Sequence, residues 1–135
     1  MSWTYRTYVS PTGRNDVQKR IDALRSAVLV HFKARLRYLA NTPKIDWHEP
    51  FAKKLQDVKD IYEIRFKAEK VQHRPLGCFG PGTNEFTVLI WASKKQNIYD
   101  PSGAINTADN RRKEIAGGQA SCAPLTVDGE EFPPA

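Results

Sequence analysis

Six side chains in the second half of the chain are of the types that hold and cut a phosphodiester: Arg65, His73, Arg74, Lys94, Lys95 and Tyr99. Guanidinium groups fork onto phosphate oxygens, and crowded cations lower one another's affinity for protons, which prepares a lysine as a base. Histidine titrates near neutrality, and a tyrosine stacks on a nucleobase or donates a proton. RNA cleavage needs a base for the ribose 2′-hydroxyl, an acid for the leaving 5′-oxygen and a cationic clamp on the phosphate, and this set contains all three. The sequence has neither a Gly-rich phosphate loop nor a metal-ligand spacing, so no cofactor and no metal is expected. The competing reading of the same residues is a sheet edge protected by solubilising charge. Cys78 has no base partner in the sequence pattern and reads as core, as does Trp91.

These residues fall near the ends of three consecutive strands. Ile61 to Phe66 alternates, with Tyr62, Ile64 and Phe66 on a core face and Glu63 and Arg65 on the other. Val71 to Phe79 reads as the next strand, with Pro75 imposing a bulge, an edge position or a break. The turn Gly80-Pro81-Gly82-Thr83-Asn84 then joins it in a hairpin to Phe86–Trp91, which is apolar on both faces as a central strand would be. A meander of this kind delivers Arg65, Arg74, Lys94 and Lys95 to one concave face.

Around the meander, Thr4 to Val9 reads as a short edge strand with Tyr5 and Thr7 on one side and Arg6 and Tyr8 on the other. Val17, Ile21, Leu24, Val28, Phe32, Leu36 and Leu39 keep three-and-four spacing and predict one helix of about six turns. Asn15 with Gln18 resembles a capping box, and Asn41-Thr42-Pro43 marks the other end. Arg20, Arg25, Lys33, Arg35 and Arg37 lie on the helix face away from the stripe and read as a solvated exterior. Phe51 to Val58 offers one or two helical turns. Asp100 and Pro101 predict the start of a last helix that stops at Gly117-Gly118, and residues 117–135 read as a flexible tail.

The 135 residues suit one small domain, and the formal charge of +6 favours a polyanion or an acidic protein as partner. Two cysteines in unrelated contexts imply no disulfide framework and point to a reducing compartment. No apolar run approaches the roughly 20 residues of a membrane span, and the N-terminus lacks the apolar core of a signal peptide, so a cytoplasmic protein is expected.

The segments FAKKLQDVKDIYEIRF, HRPLGCFGPGTNEFTVLI, the Lys94-Lys95 pair and the helix from Pro101 to Arg112 carry a further signal. From Phe51 to Ile115 the chain resembles the phage-derived Gp49-like group within the RelE/HigB/ParE toxin superfamily. That resemblance implies an α+β fold, with a small RelE-like antiparallel sheet packed by an N-terminal helix or helical hairpin and a C-terminal helix. The toxin domain would occupy residues 1–116. It also implies a toxin of a type II toxin-antitoxin system, neutralised by a cognate antitoxin. The HigB and RelE branches cut mRNA in the ribosomal A site without metal, whereas the ParE branch poisons gyrase. Carried over by position, Arg65 and Arg74 would surround the scissile phosphate, with Arg74 stabilising the transition state. Lys94 and Lys95 would be the basic pair, Tyr99 the aromatic near the C-terminal end. Pro75 and the string WASKKQNIYDP depart from the pattern, which leaves acid and base unassigned. The expected function is a ribosome-dependent mRNA endonuclease; the alternative is a non-catalytic ParE-like gyrase inhibitor or a phage-derived protein that binds a host factor or nucleic acid.

Overall fold

The computed structural model describes residues 2–134, so positions 1 and 135 of the two predicted regions lie outside it. Strand β1 (Thr4–Val9) has the alternation the sequence predicts, with Tyr5 buried on one face and Tyr8 on the other. It is an interior strand, not an edge. The parallel partner of β1 is β7 (Glu85–Ile90) and its antiparallel partner is β10 (Ser121–Pro124), which comes from the predicted tail.

The single long helix is instead two, α1 (Asp16–Asp22) and α2 (Ser26–Ala40). They are separated at Ala23, Leu24 and Arg25, yet the stripe survives the break: Val17, Ile21, Val28, Phe32, Leu36 and Leu39 are all buried. Asn15 caps α1 through its Oδ1, which accepts from the Gln18 backbone N–H at 2.9 Å. The reciprocal half of a capping box is missing, because the Gln18 side chain bonds Asp22 and the backbone of Thr126.

The predicted helical turns after Phe51 are a strand, β2 (Ala52–Lys54), paired antiparallel with β3 (Tyr62–Ile64). The three predicted strands each bend, and the first and third run on past the bend beyond their predicted ends. β3 gives way at Arg65 to β4 (Phe66–Ala68), β5 (Val71–His73) at Arg74 and Pro75 to β6 (Leu76–Phe79), and β7 at Trp91 and Ala92 to β8 (Ser93–Lys95). Pro75 explains the middle bend, since it has no N–H to give a ladder. With β9 (Ile98–Asp100), the result is a six-stranded sheet ordered β10-β1-β7-β6-β3-β2 and a four-stranded sheet ordered β4-β5-β8-β9. β6 and β7 form the predicted hairpin. Helix α3 (Ala104–Ala116) begins after Gly103 and ends at Gly117, so Asp100 completes a strand and does not cap the helix.

The fold is therefore α+β with a mixed sheet covered on both faces. Helices α1 and α2 close one side over Tyr5, Ile64, Phe66, Phe86 and Trp91; α3 closes the other over Tyr8, Ile61, Leu76 and Leu89. Residues 117–135 do not form a loose tail within the described part. After β10, the small hairpin of β11 (Thr126–Val127) and β12 (Glu130–Glu131) sets Leu125, Val127 and Phe132 into the core beside α2. Apolar spacing too sparse for an element still carried three anchors. Among the described residues, no helix is long and apolar enough to cross a membrane.

Candidate nucleic-acid interface

The three strand bends lie side by side and place charge where a straight sheet would have left it at distant ends. At the first bend Glu63 projects away from Tyr62 and Ile64, as its parity requires. That face is not solvent, however, and the Glu63 side chain is fully buried. A buried carboxylate demands partners. Arg65 Nε lies 3.2 Å and Arg74 Nε 3.8 Å from Glu63 Oε2, while Lys94 Nζ lies 3.5 Å from Oε1. Tyr99 Oη donates to the same Oε1. Register explains the last pair: Lys94 and Tyr99 are directly opposed on β8 and β9, and the lysine ammonium sits 4.5 Å from the tyrosine ring centre.

Four of the six residues predicted for the site, Arg65, Arg74, Lys94 and Tyr99, thus converge on a carboxylate that the sequence reading placed only on the strand face opposite the core. The signal available for it was the Glu63–Arg65 pair two apart on one strand face. Lys95 is exposed and follows Lys94 onto the opposite side of β8, outside the cluster. His73 is also elsewhere. It is buried against the α2 side of the sheet, stacked on Phe66 at 5.0 Å between ring centres, with Nδ1 3.4 Å from the indole N–H of Trp91. Burial, helped by the charges of Arg20 and Arg74, lowers its pKa, so the imidazole is neutral and packed at physiological pH.

Burial first, and then the hydrogen bond to Glu63, push the Tyr99 phenol well above its ordinary range. It keeps its proton and cannot serve as a base. Arg74 is held below its usual value by burial and by Arg65, but remains a cation. Its Nη1 donates to the His73 carbonyl at 2.8 Å and its Nη2 to Gln72 Oε1 at 3.1 Å, which fixes the guanidinium plane.

On the open side of this cluster runs a shallow groove of about 450 Å³ whose cations are Arg35, Arg65, Lys67 and Arg74. Glu49 stands on its rim, accepting from Arg65 Nη1 at 2.6 Å, and that guanidinium holds the carboxyl below the usual carboxylate range. Arg35, which the helical pattern assigned to a solvated exterior, is drawn into the groove by stacking on Phe51 at 4.8 Å. Among the described residues, Arg35 Nη1 is buried without a hydrogen-bond partner. Four cations around one hollow, two of them with their forks fixed by the fold, form a cradle for phosphate oxygens. Among the described residues no cluster of His, Cys, Asp or Glu is arranged to hold a metal ion.

These features define a class, a small α+β domain with a cation-lined groove built over a buried carboxylate. The chain matches no protein-family model, and neither curated proteins nor solved structures give a significant match.

Proposed function

We propose that this chain is a RelE-like toxin of a type II toxin-antitoxin system, acting in the cytoplasm as a ribosome-dependent mRNA endonuclease and restrained by a cognate antitoxin. The single observation that carries the reading is the convergence of Arg65, Arg74 and Lys94 from three separate strands, with Arg65 and Arg74 lining an open groove. In this reading Arg65 and Arg74 clamp the scissile phosphate and stabilise the added charge of its pentacoordinate state. Glu49, beside Arg65, takes the proton from the ribose 2′-hydroxyl. The 2′-oxygen bonds to phosphorus as the bond to the 5′-oxygen breaks, leaving a 2′,3′-cyclic phosphate and a 5′-hydroxyl protonated from solvent. Lys94 and Tyr99 act through Glu63 by fixing the clamp, and His73 and Lys95 take no part.

A second reading is a non-catalytic gyrase inhibitor or host-factor binder that uses the same groove. It is favoured by the turning of His73 into the core and by the pairing of Lys94 with the protein's own carboxylate. Induced expression in bacterial cells of the unaltered chain, Arg65→Ala and Glu49→Gln, followed by mapping of mRNA 5′ ends, separates the two. Cuts phased to codons with the unaltered chain and lost in both variants are expected. Growth arrest without such cuts, accompanied by relaxed plasmid DNA, would move the assignment to gyrase.

A further inference from the structure

We propose that the basic groove continues into a nucleobase seat formed by Tyr38, Phe51 and Arg35, so that this surface takes a single-stranded nucleic acid and not a duplex. The inference rests on the reading of the groove as a phosphate-binding surface and adds what that reading lacks, a reason for strand selectivity. Arg35 and Tyr38 are three residues apart on α2 and therefore neighbours on one helix face. The Tyr38 ring stacks on Phe51 with centres 4.4 Å apart and planes tilted by 41°. It is nevertheless 49% exposed, so the ring keeps surface open to solvent beside Phe51.

Arg35 joins the two halves. Its guanidinium carbon lies 4.8 Å from the centre of the Phe51 ring, and the same side chain lines the groove with Arg65 and Arg74. Arg35 thus bridges the groove cations and the aromatic pair through one side chain. A strand with a phosphate in the groove would present its neighbouring base to a protruding ring that already has hydrophobic support. Bases in a duplex have both faces covered by their neighbours, whereas an unpaired base can slide onto an aromatic ring.

The test is fluorescence anisotropy at low salt with the full chain and a labelled single-stranded RNA of about ten nucleotides, within the usual site size of single-strand binders. A DNA of the same sequence and the corresponding blunt duplex are the other probes. Tyr38→Ala is expected to weaken single-strand binding roughly 5- to 100-fold, the usual worth of one stacked base, while Tyr38→Phe binds like the unaltered chain. The duplex is expected to bind more weakly and to ignore both changes. Equal loss on RNA and DNA would mean that the seat reads the base and not the sugar; loss on RNA alone would place the 2′-hydroxyl in the site. Tyr38→Ala binding within a factor of about two of the unaltered chain, with Lys67→Glu strongly impaired, would overturn the seat and leave the groove standing. Indifference to both substitutions, or no saturable binding by the unaltered chain, would overturn the seat as well. Codon-phased cuts in cells would then still support the nuclease reading. Circular dichroism on each variant excludes misfolding as the cause of a loss.

Discussion

Glu63 governs the chemistry of the groove without reaching it. Three cations and a phenol surround one buried carboxylate, and removing it leaves like charges facing one another in a dry setting. Glu63→Ala should therefore cost about 3–5 kcal/mol in denaturant unfolding, the usual penalty for breaking a buried pair. Tyr99→Phe, which removes one donor and keeps the shape, should cost only about 1–3 kcal/mol. A Glu63→Ala protein as stable as the unaltered chain would show that the cluster does not order the clamp. His73 makes a separate statement about pH. Its folded pKa is lowered, chiefly by burial, from an ordinary value of 6.5. Above that value both folded and unfolded chains carry a neutral imidazole and its full contribution is present. As pH falls through 6.5 toward the folded pKa, the unfolded chain takes up a proton that the folded chain refuses, and stability drops by at most about 1.4 kcal/mol per pH unit. Unfolding curves collected between pH 7 and 5 should show this slope, and it should flatten in His73→Gln.

At the scale of elements, β10 and the hairpin after it decide whether β1 is an interior strand or an open edge. Leu125, Val127 and Phe132 are each buried, together worth roughly 5–9 kcal/mol at 1.5–3 kcal/mol per side chain. That rivals the whole stability of a small domain, so a chain ended at Gly118 should fail to fold and should aggregate through the exposed β1. A soluble truncated chain with an unchanged melting temperature would contradict this. Gly77 makes a similar demand in β6: a Cβ there would run into the Thr87 carbonyl and come within 2.6 Å of the Phe86 ring. Much of this architecture was legible in the sequence. The α2 stripe, the β6–β7 hairpin and the two-faced β7 follow directly from apolar period and turn residues. The bends were not legible, because a strand broken at Arg65 or Trp91 has the same alternation as a straight one, and only Pro75 announced a break. The C-terminal strand was missed because Ser121–Pro124 pairs through backbone and not through an apolar pattern. The burial of Glu63 was not legible because parity assigns a face but not what covers it.

At the scale of the molecule, a charge of +6 draws polyanions in, and the groove concentrates that charge on one side of the sheet bends. Four groove cations predict that log affinity for a single-stranded oligonucleotide falls against log salt with a slope of about −3. A slope near zero, from anisotropy titrations across a salt series, would remove the groove as a phosphate site. An acidic antitoxin segment would find the same field attractive, and covering the groove would silence the protein without disturbing its core. Cleavage itself is tested by adding the purified chain to purified ribosomes programmed with a short mRNA. A cut at the A-site codon with a 2′,3′-cyclic phosphate end is expected, absent without ribosomes and absent with Arg65→Ala. An intact message in the presence of the folded, unaltered chain would contradict it.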